Sequence, residues 1–319
     1  MRGANRNAQA NEPISLALQG GGAFGAFTWG VLDRLLEADR LRLDAASGAS
    51  AGAVNAVLLA DGLRQGGREM ARKALDRFWT RLADDARSSF LPRGYRANLA
   101  LDMSSRMLSP YQVNPFNLNP LRTLLSQCVD FDGLRAEPSL RLLIAATRVQ
   151  DGTVRIFRED EVTLDSVLAS ACLPLVHQAV DIDGDAYWDG GYAANPPLLP
   201  LVEVSDAARV LLVQIVPTGG EDHPRTSPGI VKRLNQITFN APLQHDLDAV
   251  AAMQRLATAE DATTASGRKF RALAIDHLSA EEWFPRLAER SANDLDRDFL
   301  FGLRDSGRTA ATAWLGDQG

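Results

Sequence analysis

The chain has 319 residues, of which 45% are hydrophobic, and it carries a formal net charge of −6 at pH 7. This composition allows a substantial buried core without metals or disulfides, and two cysteines, Cys128 and Cys172, are too few for a disulfide scaffold or a zinc site. The acidic balance argues against a nucleic-acid partner, because such partners normally meet a basic face.

The first residues, 1–12, are polar, and we expect them to form a flexible N-terminus that leads directly into the first strand. They contain no apolar signal core, and the chain has no uninterrupted apolar run of about 20 residues, the length that a bilayer-spanning helix needs. The sequence therefore predicts a cytoplasmic protein. Any contact with a membrane would be peripheral and reversible.

A glycine-rich loop follows the first predicted strand, Ile14–Leu18. The loop reads Gln19-Gly20-Gly21-Gly22-Ala23-Phe24-Gly25 and precedes a helical pattern. Consecutive glycines leave main-chain N–H groups available at a helix N-terminus, where negative charge is favoured. The loop is therefore suited to a phosphate or to the oxyanion of an acyl-transfer intermediate.

A Gly-x-Ser-x-Gly motif, Gly48-Ala49-Ser50-Ala51-Gly52, lies where a second buried-looking strand gives way to a helix of small residues. Gly48 and Gly52 allow a tight, strained turn that lifts the Ser50 hydroxyl out of the structure. The motif favours Ser50 as a nucleophile, whereas an ordinary turn is the alternative when the motif is taken alone.

The segment between the elbow helix and the next strand, residues 85–125, interleaves apolar side chains with prolines. It would form a cap with an acyl-binding lining or a membrane-touching surface; an irregular insert in the core explains the pattern equally well. The apolar residues concerned are Phe90, Leu91, Tyr95, Leu99, Leu101, Met103, Met107, Leu108, Tyr111 and Phe116.

Two aliphatic runs, Leu140–Ala146 and Val210–Val216, have the composition of strands covered on both faces. Shorter strands are expected at Val154–Phe157 and Ala179–Ile182, with a helix at Leu164–Ser170 between them. This alternation predicts an α/β fold with three layers and a mostly parallel central sheet.

The expected domain organisation divides the chain after the last long strand. Residues 13–217 would form the catalytic domain, and residues 218–319 a mainly helical extension packed on the same domain. One more strand is expected near residues 270–275, within that extension.

Asp189 precedes a Gly-Gly turn and would serve as the base for a serine nucleophile, although beginning a turn is the commoner role of Asp before glycine. A Ser-His-acid triad is less favoured, because none of the histidines has a distinctive setting. They are His177, His223, His245 and His277.

The glycines of the loop also fit a dinucleotide-binding fingerprint, Gly20-x-Gly22-x-x-Gly25, with Asp44 near the offset of a ribose-binding acid. We give this interpretation less weight. It leaves Ser50 and Asp189 unexplained.

Four blocks, in order along the chain, resemble the patatin-like phospholipases, a family of serine acyl hydrolases with a Ser-Asp dyad. The blocks are Gly20–Gly25, Gly48–Gly52, Ala169–Pro174, and Asp189-Gly190-Gly191 followed by Asn195-Pro196. The resemblance covers about residues 13–217. One departure is Phe24, which stands where the family usually has Arg or Lys.

The resemblance implies a lipid acyl hydrolase, either a phospholipase A or a lipolytic esterase, with Ser50 as nucleophile and Asp189 as proton acceptor. The implied oxyanion hole consists of N–H groups in the glycine loop: Gly20, Gly21, Gly22 and Ala23. No cofactor or metal is expected, the partner is a lipid or acyl-ester substrate, and a homodimer is left open. Because the Phe24 ring would favour a less charged ester, two alternatives stay open: a hydrolase of thioesters or hydroxyalkanoate esters, and a catalytically weak lipid-binding protein.

Overall fold

The computed structural model describes residues 13–88, 109–220, 223–259 and 264–317. Eight strands form one sheet in the order β5-β6-β3-β2-β1-β7-β8, with β4 paired to β3. The strands are β1 (Pro13–Leu18), β2 (Arg42–Gly48), β3 (Arg141–Arg148), β4 (Val154–Arg158), β5 (Val180–Ile182), β6 (Asp185–Asp189), β7 (Arg209–Gln214) and β8 (Ala274–Ser279).

The sheet is mostly parallel. Strands β1, β2, β3, β7 and β8 pair in parallel, whereas the pairs β3–β4, β3–β6 and β5–β6 are antiparallel. The helices are α1 (Gly25–Ala38), α2 (Ala51–Ser88), α3 (Pro110–Val113), α4 (Pro120–Cys128), α5 (Phe131–Ala136), α6 (Leu164–Ser170), α7 (Leu198–Val204), α8 (Ser227–Ala259), α9 (Ala265–Ala272), α10 (Ala280–Trp283) and α11 (Arg297–Asp317).

Helices cover both faces of the sheet. Successive side chains of each strand point to opposite faces, so one strand contributes to the core on both sides. Leu16 and Leu18 of β1 belong to the larger core cluster, which includes residues of α1, α2 and α11. Ala17 belongs to a second cluster with residues of α7 and α8. The predicted three-layer α/β fold with a mostly parallel sheet is confirmed.

The C-terminal part is built into both the sheet and one helical layer. Strand β8 pairs with β7 along its whole length. Helices α1 and α11 approach so closely that a Cβ on Gly30 would lie 1.9 Å from the Arg304 carbonyl oxygen, and one on Gly307 would lie 2.1 Å from that of Phe27. Glycine at these two positions therefore allows α11 to complete the layer.

The strand expected near residues 270–275 is shifted, since β8 begins only at Ala274. The Thr264 side chain accepts a hydrogen bond from the Gly267 N–H and starts α9, which runs to Ala272. This cap makes residues 265–272 helical in place of the expected strand start.

Candidate active site

Ser50 lies at a sharp turn between β2 and α2. Its φ of +52° is in the left-handed region that non-glycine residues seldom adopt. The Ser50 N–H donates to the Ser170 carbonyl oxygen at 3.1 Å and to its Oγ at 2.9 Å. The turn is closely packed, because a Cβ on Gly52 would lie 2.0 Å from the Leu18 carbonyl oxygen. These contacts fix a strained serine at the carboxyl end of the central strands.

Asp189 reaches the same place through the pairing of β3. Leu143 pairs with both β2 and β4, whereas Ala146 pairs with both β4 and β6. Strands β2 and β6 therefore lie one after the other along the same edge of β3. Asp189, the last residue of β6, is thus brought to the end of β2, where Ser50 follows.

The turn after Asp189 is as tightly constrained as the one at Ser50. A Cβ on Gly190 would lie 2.1 Å from the Ala145 carbonyl oxygen, and one on Gly191 would lie 2.6 Å from the Phe239 ring. The Gly191 N–H donates to Asp189 Oδ1 at 2.8 Å. Both glycines let the chain turn directly against β3 and α8.

The carboxylate of Asp189 is fully buried. Burial raises the pKa of Asp189 to about 7, against the opposing effects of the Gly191 N–H and the Ser50 hydroxyl. Within the described residues its Oδ2 has no hydrogen-bond partner, although the Ser50 hydroxyl is near enough to stabilise the charge. The arrangement leaves one carboxylate oxygen ready to accept a proton.

The glycine loop is held at both ends. The Gly20 N–H donates to Asn195 Oδ1 at 2.7 Å, and the Ala23 N–H donates to the Ala292 carbonyl oxygen at 2.7 Å. These two amides, named from the sequence as oxyanion donors, are engaged here. The N–H groups of Gly21 and Gly22 have no acceptor within the described residues.

Ala51 adds an amide that the site prediction left out. As the residue after the nucleophile, it occupies the position that commonly donates to the oxyanion in such elbows. Its N–H likewise has no acceptor in the described part of the chain. The Gly-x-Ser-x-Gly motif itself was the available signal.

Phe24 packs with the C-terminal part of the protein. Its ring meets Phe299 edge-on with a centroid distance of 6.2 Å, and Phe299 packs in turn against Phe284. Only 5% of Phe24 is exposed. The ring belongs to the core that joins the glycine loop to α11, which removes the reason for expecting a less charged ester.

Two further side chains lie close enough to Asp189 to feel its charge. Burial, with a contribution from Asp189, raises the pKa of the Cys172 thiol to about 12 and that of Tyr192 to about 12. Both groups therefore stay protonated near neutral pH. The Tyr192 ring packs against Phe239 of α8 with a centroid distance of 5.1 Å.

The alternative sites find no support in the geometry. All four histidines lie in the described ranges, and none hydrogen-bonds to Ser50 or Asp189. Asp44 accepts hydrogen bonds from Ser205 and the Asp206 N–H, near the amino end of β2, whereas the glycine loop follows the carboxyl end of β1. A ribose-binding role beside the loop is therefore excluded for Asp44.

The described part of the segment predicted to form a cap contacts the residues just before β5. The Tyr111 hydroxyl accepts from the Ala179 N–H at 3.3 Å, and the Gln178 side chain donates to the Asn114 carbonyl oxygen at 2.7 Å. Tyr111 and Phe116 are 57% and 84% exposed. The other apolar residues named for the cap, from Phe90 to Leu108, lie outside the described residues.

Two kinds of feature are absent from the described ranges. No helix there is long and apolar enough to cross a membrane. No group of three or more His, Cys, Asp or Glu side chains in the same ranges is arranged to hold a metal ion.

Comparison with known proteins matches the chain to a family model and to solved structures that include VipD and ExoU. No curated protein matches the chain. Among solved structures, VipD from Legionella pneumophila is 16% identical with a TM-score of 0.48, and the match covers 97% of this chain and 67% of VipD. The type III effector protein ExoU is 16% identical with a TM-score of 0.35, and the match covers 97% of this chain and 53% of ExoU.

The family model described as "Patatin-like phospholipase" matches residues 16–202, which is more than half of the chain. It spans all four blocks on which the resemblance was based, and it supports lipid hydrolysis at the level of the family. The resemblance is thereby confirmed, and the chain belongs to the patatin-like phospholipase family.

Proposed function

We propose that the protein is a lipid acyl hydrolase that cleaves carboxylic esters through Ser50 and Asp189. One observation carries the proposal: Asp189 Oδ2 is a buried acceptor without a partner among the described residues, beside a serine with strained backbone. Burial raises the pKa of Asp189 to about 7, which suits a base working near neutral pH. A residue that only began a turn would gain nothing from this arrangement.

In the acylation step, Ser50 Oγ attacks the ester carbonyl carbon while its proton passes to Asp189 Oδ2. The carbonyl π electrons move to oxygen and form a tetrahedral oxyanion. When the intermediate collapses, the bond to the alkoxy group breaks and the leaving oxygen takes the proton from Asp189. The acyl group then remains on Ser50, and the carboxylate is regenerated.

Deacylation repeats these steps with water. Asp189 accepts a proton from water, the resulting oxygen nucleophile attacks the acyl-enzyme, and Ser50 leaves with the proton. In both steps the oxyanion would meet the N–H groups of Gly21, Gly22 and Ala51. Such donors are each worth about 3 kcal/mol in comparable sites because they are fixed before the charge develops.

A lipid substrate agrees with the exposed apolar side chains near the site. Leu175 is 57% exposed and follows the turn whose Cys172 carbonyl oxygen accepts the Asp189 N–H at 2.8 Å. Phe116 and Tyr111 lie on the neighbouring segment, and Tyr192 is 37% exposed beside Asp189. These side chains would contact acyl chains or a lipid surface, which makes the proposed membrane contact peripheral.

The test compares Ser50→Ala with Ser47→Ala, a change three residues earlier, in β2. The Ser47 hydroxyl is buried without a hydrogen-bond partner in the described ranges, so its removal costs little. Each variant is assayed on p-nitrophenyl esters of increasing chain length and on phosphatidylcholine vesicles, and a fluorophosphonate probe is mapped by mass spectrometry.

We expect wild type and Ser47→Ala to release fatty acid and to carry the probe on Ser50. Ser50→Ala should lose both properties, falling by at least about 10³-fold in turnover. Hydrolysis retained by Ser50→Ala would reject the dyad. A wild-type protein that neither turns over esters nor carries the probe would be a binding protein.

A further inference from the structure

The Asn195 side chain makes three hydrogen bonds, two to Gly20 of the glycine loop and one to helix α8. Its Oδ1 accepts from the Gly20 N–H at 2.7 Å. Its Nδ2 donates to the Gly20 carbonyl oxygen at 3.2 Å and to the Phe239 carbonyl oxygen at 3.0 Å. A primary amide offers this combination of one acceptor oxygen and two N–H donors. Asn195 is fully buried, so water does not compete for these bonds.

Gln19 fixes the residue before Gly20 in the same manner. Its Oε1 accepts from the N–H groups of Ile215 and Val216, both at 2.8 Å, and its Nε2 donates to Asn240 Oδ1 at 2.9 Å. Phe239 and Asn240 are consecutive residues of α8. A network of amide side chains, in which Gln19 and Asn195 are fully buried, therefore connects the start of the glycine loop to this helix.

These contacts restrain the N–H groups of Gly21 and Gly22, which form no hydrogen bond within the described residues. The Asn195 side chain binds both the N–H and the carbonyl oxygen of Gly20. The loop is held again at Ala23, whose N–H donates to the Ala292 carbonyl oxygen. Gly21 and Gly22 lie between these fixed points. Glycine has more backbone freedom than any other residue, so without such restraints their N–H directions would vary.

We infer that Asn195 is a positioning residue, which sets the direction of the Gly21 and Gly22 N–H groups toward the developing oxyanion. This inference rests on the proposed function. Oxyanion stabilisation depends on donors that are fixed in place before reaction, and a loop that must reorganise loses that advantage. Asn195 itself acts through Gly20 and touches no reacting atom.

Asn195→Asp tests the inference with almost no change of shape. The new carboxyl group keeps an oxygen for the Gly20 N–H but places its second oxygen against two carbonyl oxygens, those of Gly20 and Phe239. Asn195→Ala removes all three bonds. The matched control is Gln254→Ala. Gln254 lies on α8, the helix that also carries Phe239, and its side chain donates to the Leu273 carbonyl oxygen at 2.8 Å.

Three measurements separate positioning from a purely structural role. We expect kcat on a p-nitrophenyl ester to fall about 10²-fold in both Asn195 variants while KM changes less than about threefold. The inhibition constant of a trifluoromethyl ketone, which forms an oxyanion on the serine, should rise by the same factor. Hydrogen exchange of the peptide that covers residues 19–24 should accelerate, and Gln254→Ala should leave all three unchanged.

The inference is overturned if a folded Asn195 variant keeps wild-type kcat and inhibitor affinity, or if exchange in residues 19–24 stays at the wild-type rate. If only one variant folds, that variant decides. The proposed function fails separately, when wild type shows no Ser50-dependent turnover. In that case the exchange measurement still decides whether Asn195 holds the loop.

Discussion

The two halves of the candidate site are held by different parts of the molecule. Ser50 and Asp189 follow or end strands that share one edge of β3, so the central sheet fixes their separation. The glycine loop is held instead by the Asn195 side chain and by a main-chain contact with Ala292. The sheet therefore positions the reacting pair, whereas the Gly21 and Gly22 donors depend on Asn195 and on the C-terminal part that supplies Ala292.

Ser50 and Asp189 form the sheet-held half of the site, and replacing the base in this half should produce the largest effect. Asp189→Asn removes the proton acceptor but keeps the shape, and we expect kcat to fall about 10⁴-fold, the size of the loss when an amide replaces the carboxylate of a Ser-His-Asp triad on an unrelated fold. The measurement is the pH dependence of kcat/KM. In wild type it should rise as pH passes about 7, because Asp189 must lose its proton to act.

Asp185→Asn is the control, because Asp185 begins the same strand and its side chain is 40% exposed. It should keep the wild-type profile. A pH profile in Asp189→Asn that still rose through neutral pH at wild-type rates would assign the base to another group.

Asp189→Asn should also stabilise the protein at alkaline pH, because the buried carboxylate of Asp189 lowers the free energy of unfolding there. The folded pKa of about 7 exceeds the unfolded value of 3.8, so the stability contributed by the protonated carboxyl is complete below 3.8. That contribution is lost as pH rises through about 7. The loss at pH 8 is on the order of 4 kcal/mol.

Urea unfolding at pH 5 and pH 8 measures the part of this loss that falls between the two pH values, about 3 kcal/mol. Asp189→Asn has no charge to bury, so its free energy of unfolding should fall less than that of wild type between pH 5 and pH 8. Parallel behaviour of the two proteins would mean that the carboxylate is not buried in the folded state.

A smaller effect on kcat is expected in the loop half of the site, which is the glycine loop with Gly21 and Gly22. Gly22 has φ +58°, and a Cβ there would lie 2.4 Å from the Ala292 carbonyl oxygen. Gly22→Ala should therefore push the loop away from Ala292 and lower kcat about 10²- to 10³-fold, as the loss of one oxyanion donor does elsewhere. Steady-state kinetics on a p-nitrophenyl ester, together with a thermal melt, measures the effect.

Gly152→Ala is the matched control. Gly152 also has a positive φ, +72°, but a Cβ there meets nothing within 4 Å. It should lose about 1 kcal/mol of stability and keep its kcat. If Gly22→Ala folds and keeps wild-type kcat, the loop is not restrained by Ala292.

The sequence predicts the sheet-held half better than the loop half, for a physical reason. Ser50 and Asp189 lie in motifs whose glycines are needed at close backbone approaches, so residue type and spacing carry the information. Leu164–Ser170 matches the observed helix α6, and the predicted limits of the long strands differ by only one or two residues. Strand patterns of this kind are set by local burial.

The loop half depends on contacts that leave no local pattern. The Ala23 partner is a main-chain oxygen, which any residue at position 292 would provide. Asn195 stands out only as part of the Asn-Pro block, with nothing to connect it to Gly20. Phe24 is an unusual residue in the loop motif, yet its explanation lies at Phe299, far away in the chain. The cap over residues 85–125 stays a prediction.

The Ala23–Ala292 contact bears on how the protein is made. A ribosome releases the chain from its N-terminus, and early segments of a protein can fold while later ones are still being synthesised. Ser50 and Asp189 emerge well before Ala292. The glycine loop of a nascent chain therefore stays without its second restraint until Ala292 has emerged.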